Sequence, residues 1–195
     1  MSSAVQSKQS MLLEIAWETC SQIGGIYTVI KTKAPNMVER WGDNYLMIGP
    51  YHQQTSALEF EEGVVPDHLK PAFEALAAQG TPCHFGCWLT DGRPSVVLID
   101  YKGRYPRLGE DKYLLWTDNG ISLEGNDGEV DAVIAFGFAA AELLRAIQTS
   151  NTSLQLTAHF HEWMAGVALP RIRHMNLPIA TVFTTHATLL GRYIA

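Results

Sequence analysis

The chain has 195 residues, of which 47% are hydrophobic and 17% are charged. This length and composition predict one domain, or one domain and part of another, with a substantial apolar core. The net charge of −6 and the pI of about 5.6 argue against nucleic acid as the main partner. The polar first ten residues lack a signal-peptide core, and no apolar run reaches the ~18 residues of a membrane span.

The chain contains three cysteines, Cys20, Cys83 and Cys87. Their odd number does not indicate a disulfide framework. If residues 83–89 form a strand, Cys83 and Cys87 lie roughly 13 Å apart and cannot bridge each other there. A reducing, cytoplasmic compartment is the simple interpretation.

The first part of the chain predicts a strand followed by a helix. Residues 1–10 have the character of a disordered tail, and 11–17 are mostly apolar, as in a strand buried on both faces. A turn over 18–25 leads into a helix over 26–41, which Pro35 should kink or split. Residues 45–48 form the second predicted strand, and the polar residues 51–66 are predicted to be irregular.

The rest of the chain alternates between helical and strand patterns. We predict helices over 68–78, 110–116, 130–147 and 163–174, the third of them almost entirely apolar and buried. We predict strands over 83–89, 96–101, 154–160 and 179–183, and a basic, aromatic loop over 101–106. This alternation is typical of an α/β fold with an open, mostly parallel sheet.

Histidines stand where the last two predicted strands end. His159, His161 and Glu162 lie at the end of the strand over 154–160, and His186 follows the next strand, 25 residues after His161. That spacing suits one βαβ unit. Because ligands of open α/β sheets bind at the carboxyl ends of the strands, these side chains are expected to face one crevice.

Several other chemistries have weaker support. His159 and His161 would point to the same side of a strand, but spacing places no third metal ligand beside them. The absence of G-x-S-x-G argues against a serine hydrolase. Arg104 and Arg107 could bind phosphate or sugar, although a solvated loop is favoured. Gly24-Gly25 could approach an anion at a helix N-terminus or form a tight turn with positive φ; the dinucleotide fingerprint is missing.

Six stretches of the sequence resemble glycogen synthases of the fungal and animal type, which form glycosyltransferase family three. The resemblance runs from about residue 11 to residue 195. The matching stretches are GGIYTVI over 24–30, WGDNY over 41–45, IGPY over 48–51, AHFHEW over 158–163, AGV over 165–167 and FTTHATLLGRY over 183–193.

The resemblance implies a Rossmann-like domain over 11–195 that is the incomplete N-terminal half of a glycosyltransferase B fold, with the C-terminal nucleotide-binding domain absent. It implies glucose transfer from UDP-glucose to the non-reducing end of an α-1,4-glucan, with retention and without a metal or cofactor. His161 corresponds to the family's catalytic histidine beside the transferred sugar, and Gly24 and Gly25 to its donor-binding glycines. Further residues expected at the substrate site are Asn126, Asp127, His186 and Arg192.

Some positions depart from the family's pattern. Gln22 stands where Lys or Arg is usual, and so brings no charge to a diphosphate. Cys87 stands where Arg is common. The family's Asn-Asp-Ala segment matches either Asn126-Asp127, which we prefer, or Asp131-Ala132.

The resemblance leaves more than one function open for this chain. We expect the fragment alone to be inactive, because the family's second domain supplies most nucleotide contacts, and we expect the full-length protein to be a homo-oligomer. The alternative is a non-catalytic glucan-binding or interaction module derived from the half-fold. Another retaining glucosyltransferase, such as a sucrose synthase relative, would differ only in donor and acceptor.

Overall fold

The computed structural model describes residues 9–123 and 127–187. Most of the predicted tail, residues 1–8, lies outside the described residues, whereas Ser10 already belongs to the first strand. The strands are β1 (Ser10–Ala16), β2 (Tyr45–Pro50), β3 (Phe60–Glu62), β4 (Cys83–Trp88), β5 (Ser95–Ile99), β6 (Gln155–His161) and β7 (Ala180–Thr184). The helices are α1 (Gly25–Trp41), α2 (Gln53–Glu59), α3 (Lys70–Ala77), α4 (Leu108–Asn119), α5 (Gly128–Ser150), α6 (Glu162–Gly166) and α7 (Ala168–His174).

All seven strands belong to one sheet, in the order β3-β4-β5-β2-β1-β6-β7. The five strands β5, β2, β1, β6 and β7 are parallel, and β4 and β3 add an antiparallel margin. From β1 the chain forms β2, goes to the far edge for β3, returns inward through β4 to β5 beside β2, and then crosses to the other side of β1 to form β6 and β7. The strand order therefore reverses between β1 and β6, which is the position where open α/β sheets bind ligands.

Helices cover both faces of the sheet. On one face, Leu13 and Ile15 of β1 pack in a core with α3, α5 and α7. On the other face, Leu12 and Ala16 pack against α1. The two sets alternate along β1 because successive side chains of a strand point to opposite faces. The α/β fold with a mostly parallel sheet is confirmed.

Close packing fixes α5 against the elements that follow it. A Cβ at Gly137 would come within about 3.1 Å of the backbone at Val167 and Ala168. A larger residue at position 137 would push apart α5 and the turn between α6 and α7. Within the described ranges, no helix is long and apolar enough to cross a membrane.

The sequence predictions were wrong at several local points. Pro35 does not split α1, which continues from Gly25 to Trp41. Residues 51–66 contain α2 and β3, which the polar composition concealed. The basic loop forms a 3-10 helix, Tyr101–Arg107, and the helix after it is longer than predicted, Leu108–Asn119. The predicted helix over 163–174 is divided at Val167 into α6 and α7.

Arg104 is a structural residue and not part of a solvated loop. It is 2% exposed, and its guanidinium donates two hydrogen bonds, of 2.7 and 2.8 Å, to the buried carboxylate of Asp111. It also lies over the ring of Phe138 in α5. Arg107 lies closer to the surface, where it pairs with Glu110. The three cysteines are free thiols, as predicted, and Cys20 is fully buried.

Candidate functional site

The predicted histidines come together at the carboxyl ends of β6 and β7, beside the end of β1. Strand register pairs Glu14 with His159 and Ala16 with His161, so these four side chains point to the face that carries α1. His161 is paired in turn with Thr184 at the end of β7. The site is therefore built where the strand order reverses, with α1 beneath it.

A buried carboxylate that sequence reasoning missed lies at the centre of the site. Glu14 is 0% exposed, and its Oε1 is 2.5 Å from His161 Nε2. The same oxygen pairs with Lys33 of α1, and Oε2 accepts a hydrogen bond from the hydroxyl of Tyr45. Burial raises the pKa of Glu14, but the hydrogen bond from His161 and the charge of Lys33 outweigh burial and lower that pKa to about 2.

The ionised carboxylate determines the protonation of the ring beside it. Since a carboxylate can only accept, His161 Nε2 must carry the proton in this contact. The other nitrogen, Nδ1, lies 2.7 Å from His186 Nε2, and the two rings stack with centroids 5.0 Å apart. His161 is only 2% exposed, and both of its ring nitrogens have protein partners. The structure thus brings together His161 and His186, as the strand pattern predicted.

His159 lies next to this pair and contributes a third imidazole. Its ring centroid is 4.3 Å from that of His161, and its Nε2 is 2.8 Å from the hydroxyl oxygen of Thr184. Burial, reinforced by the charge of His161, lowers the pKa of His159 to about 4. His159 is therefore neutral at physiological pH.

Glu162 connects the ends of the two strands. It has a φ of +61°, a conformation that is rarely adopted by residues other than glycine and that clusters at functional sites. Its Oε1 accepts hydrogen bonds from the backbone N–H groups of His186 and Ala187 and from the hydroxyl of Thr185. Glu162 begins α6, as expected, but its main partners lie in the segment after β7, which it holds beside β6.

The turn before α1 lacks the positive φ of the predicted tight turn. Neither Gly24 nor Gly25 has positive φ; Gly24 is extended, at φ −147° and ψ −153°. The carboxylate of Glu18 accepts hydrogen bonds of 2.8 Å from the N–H groups of Gly24 and Tyr27. A Cβ at Gly24 would lie 3.0 Å from that carboxylate. A side chain at position 24 would therefore require the Glu18 carboxylate to shift by a few tenths of an ångström.

The remaining first-turn amides of α1 are available for a ligand. Among the residues that the structure describes, no protein acceptor is assigned to the N–H groups of Gly25 and Ile26. An open pocket of about 440 Å³ lies beside this turn. It is lined by Ser21, Gln22, Ile23, His52, Gln53, Gln54 and Lys102.

The cluster of Glu14 and the two histidines of β6 has the donor types of a metal site. Glu14, His159 and His161 each offer one ligand atom, and these atoms lie within 4.8 Å of one another. Spacing along the chain identified no third ligand for the two histidines, because Glu14 comes from β1, far away in sequence. A cation already neutralises this carboxylate, since the Lys33 ammonium contacts Glu14 Oε1. A metal ion would have to displace Lys33.

Among the other candidate residues, Asp127 and Asp131 have partners outside this cluster. Asp127 is the N-cap of α5, where Oδ1 accepts from Glu129 N–H at 2.8 Å. Asp131, the second possible match, pairs with Lys112 at 2.5 Å. Asn126 and Arg192 lie outside the described residues.

Cys87, which stands where the family commonly has Arg, is next to an arginine from another position. Its Sγ lies 3.1 Å from the guanidinium of Arg93, which also pairs with Glu61. Cys87 is paired with Ser95, the first residue of β5, and so lies at the amino end of that strand.

Sequence reasoning missed Glu14, Lys33, Tyr45 and Glu18. One signal was available: Glu14 is the only charged residue in the apolar run of β1, and a buried charge needs partners. Nothing in the sequence indicated that Lys33, on the next helix, and His161, 147 residues later, are those partners.

Comparison with known proteins identifies the family of this chain. The family model described as glycogen synthase matches residues 14–195. A glycogen [starch] synthase from Neurospora crassa is 41% identical over 96% of this chain, and the human liver enzyme is 40% identical over 96%. One from Dictyostelium discoideum is 40% identical over 97%. The chain spans 21% to 27% of the length of these relatives. With this match over nearly all of its length, the chain belongs to the glycogen synthase family.

Proposed function

We propose that the full-length protein containing this chain is a retaining glucosyltransferase. It transfers glucose from UDP-glucose to the 4-hydroxyl at the non-reducing end of an α-1,4-glucan, and it needs no metal. The observation that carries this proposal is the family match over residues 14–195, which includes the histidine motif at the reversal of strand order. Fold alone would not support a function, because the same fold hosts many activities.

His161 is the proposed catalytic residue, which contacts the transferred sugar. The transition state of glycosyl transfer has oxocarbenium character, and a fixed hydrogen-bonding group gains strength as charge develops. His186 occupies the Nδ1 side of His161 in this structure, so a sugar hydroxyl that bonds to Nδ1 replaces His186 there.

Gly24 and Gly25 form the proposed donor-binding turn. The N–H groups of Gly25 and Ile26 stand at the N-terminus of a 17-residue helix, where backbone amides and the helix dipole favour an anion. In this proposal, the donor diphosphate accepts hydrogen bonds from these amides. Glu18 restricts how close the phosphates come, because its carboxylate already holds the N–H of Gly24.

The region matched here is about a quarter of the relatives' length. We propose that most nucleotide contacts come from the rest of the protein, and that the 195 residues alone transfer no glucose. A cytoplasmic location and a homo-oligomeric full-length protein belong to the same proposal. The rival function is a non-catalytic glucan-binding or interaction module. It is favoured by Gln22, which carries no positive charge.

The test measures incorporation of label from UDP-[14C]glucose into glycogen. We expect incorporation by the full-length protein and none above an enzyme-free blank by the 195-residue chain. His161→Ala in the full-length protein should lower kcat by roughly 100- to 1,000-fold, the range typical for losing one preorganised contact. His174→Ala, at an exposed histidine that ends α7, is the matched control and should keep normal kcat.

Two outcomes would overturn parts of the proposal. A full-length protein that binds glycogen but incorporates no label would support the binding module. Near-normal kcat in His161→Ala would remove His161 from the catalytic role. Because His161 is buried and bonded to Glu14, its removal should also lower the melting temperature, so rates must be measured well below it.

A further inference from the structure

The carboxylate of Glu14 has a position that packing alone does not explain. It is fully buried in β1, between apolar neighbours Leu13 and Ile15 that face the opposite core. Burying an ionised group is costly unless it is paired and hydrogen-bonded. Glu14 meets that condition through three partners on three different elements: Lys33 on α1, Tyr45 on β2 and His161 on β6.

We propose that Glu14 is the positioning residue of His161, an inference that rests on the proposed function. Its Oε1, 2.5 Å from Nε2, fixes the plane of the ring and retains the proton on Nε2. In a neutral histidine, the hydrogen bond that one ring nitrogen makes decides whether the other nitrogen carries the proton. A neutral His161 therefore presents Nδ1 as an acceptor, toward the side where His186 lies.

This arrangement specifies the contact that His161 makes with a sugar. Nδ1 without a proton accepts a hydrogen bond from a hydroxyl group and cannot donate one to a ring or phosphate oxygen. A ring held at Nε2 does not need to reorient when the sugar arrives, and such preorganised contacts are those that favour the transition state.

Lys33 balances the charge of the positioning carboxylate. Its ammonium contacts the same Oε1, and its side chain is 28% exposed, so it reaches Glu14 from α1 while remaining partly solvated. Because α1 also begins at the Gly24–Gly25 turn, the Glu14–Lys33 ion pair ties the proposed donor turn to the proposed catalytic histidine. A shift of α1 would be transmitted to His161 through the contacts of Lys33 with Glu14 and of Glu14 with His161.

The first experiment reads the tautomer directly. In the 195-residue chain with 15N-labelled histidine, long-range proton–nitrogen NMR distinguishes a protonated from an unprotonated ring nitrogen. His161→Gln identifies the His161 signals by their loss. We expect Nε2 protonated and Nδ1 unprotonated in the unaltered chain. A His161 that is protonated on Nδ1 alone overturns the proposal, whatever the activity of the full-length protein.

The second experiment removes the carboxylate together with its cation. In Glu14→Met with Lys33→Met, no acceptor holds the proton on Nε2 of His161, so the tautomer protonated on Nδ1 should become populated. In the full-length protein this pair should lower kcat about 10- to 100-fold, the range typical for removing the carboxylate behind a metal-ligating histidine, with little change in KM for UDP-glucose. Glu142→Met with Arg145→Met, an ion pair on α5 outside the site, is the matched control and should leave both kcat and tautomer unchanged.

The outcomes separate this proposal from the proposed function. If the double variant keeps normal kcat and the original tautomer, Glu14 does not position His161. If the double variant does not fold, Glu14→Gln takes its place. Because Gln keeps an acceptor oxygen, this variant should retain the proton on Nε2 of His161. Protonated Nδ1 together with normal kcat in Glu14→Gln would equally overturn the proposal. If the unaltered full-length protein transfers no glucose, the proposed function fails while the tautomer of His161 still tests Glu14.

Discussion

Glu18 Oε2 lies 2.8 Å from the backbone nitrogen of Gly24 and accepts its hydrogen bond, so an acidic side chain closes the turn where a phosphate is expected. The same oxygen also accepts from Tyr27 N–H. The protein itself therefore supplies part of the anionic partner of this helix N-terminus, and in the described part of the chain the amides of Gly25 and Ile26 have no protein acceptor.

The first prediction concerns the stability that Glu18 gives to α1. Glu18→Ala leaves two buried or half-buried amides without acceptors, and should lower the free energy of unfolding by about 1 kcal/mol, as for loss of an N-cap. Glu18→Gln keeps an acceptor oxygen and should cost clearly less. Urea denaturation of the 195-residue chain measures both. Equal losses for Ala and Gln would mean that the charge, and not the hydrogen bonds, stabilises the turn.

The second prediction concerns donor affinity. Gln22 is exposed and lines the pocket beside the Gly24–Gly25 turn. Gln22→Lys should tighten UDP binding by roughly 1–2 kcal/mol, because a charge-assisted hydrogen bond to a phosphate is stronger than a neutral one. Calorimetry with the full-length protein tests this. Gln53→Lys, at another amide of the same pocket, is the control for a general gain in positive charge, and an equal effect of both would contradict a specific contact.

The third prediction concerns stability at low pH. The pKa of His159 is lowered from 6.5 to about 4, so between these values the unfolded chain binds a proton that the folded chain does not. Stability should therefore fall as pH decreases from 6.5 to 4. Burial and the charge of His161 also lower the pKa of His186, which acts in the same direction.

Glu14 adds a second, lower pH range in which stability should fall. Its pKa is lowered from 4.5 to about 2, so its contribution is present above pH 4.5 and is lost as pH falls through 2. The loss can reach about 3 kcal/mol. Urea midpoints measured across both pH ranges check this prediction, and His159→Gln should flatten the upper one. A stability that stays constant between pH 6.5 and 4 would contradict the burial of a neutral His159.

The fourth prediction distinguishes a cap from a substrate residue at Asp127. Its carboxylate accepts from Glu129 N–H and Val130 N–H at the start of α5. Asp127→Ala should lower stability by about 1 kcal/mol, and Asp127→Ser should restore most of it, because serine also caps helices. Neither should change kcat of the full-length protein if Asp127 acts only as a cap. A loss of kcat in Asp127→Ser at normal stability would place Asp127 at the substrate site.

Local sequence pattern determined the parts of this protein that depend on neighbouring residues. The apolar run of β1, the long apolar segment of α5 and the histidines at the ends of β6 and β7 indicated an α/β sheet with a crevice at its carboxyl edge. The motif resemblance supplied the family and the proposed reaction. The inferences about the fold succeed because hydrophobic periodicity acts over short distances along the chain.

Tertiary structure alone decided which carboxylate lies beside His161. Glu14 and His161 are 147 residues apart, and only the parallel pairing of β1 with β6 brings their side chains to one face. Glu18 reaches the N-terminus of α1 only because the chain folds back after β1, and its carboxylate leaves little room for a side chain at position 24. A charged residue in an apolar strand predicts that it has partners. Strand order and register determine which residues these are, because they bring distant parts of the sequence into contact.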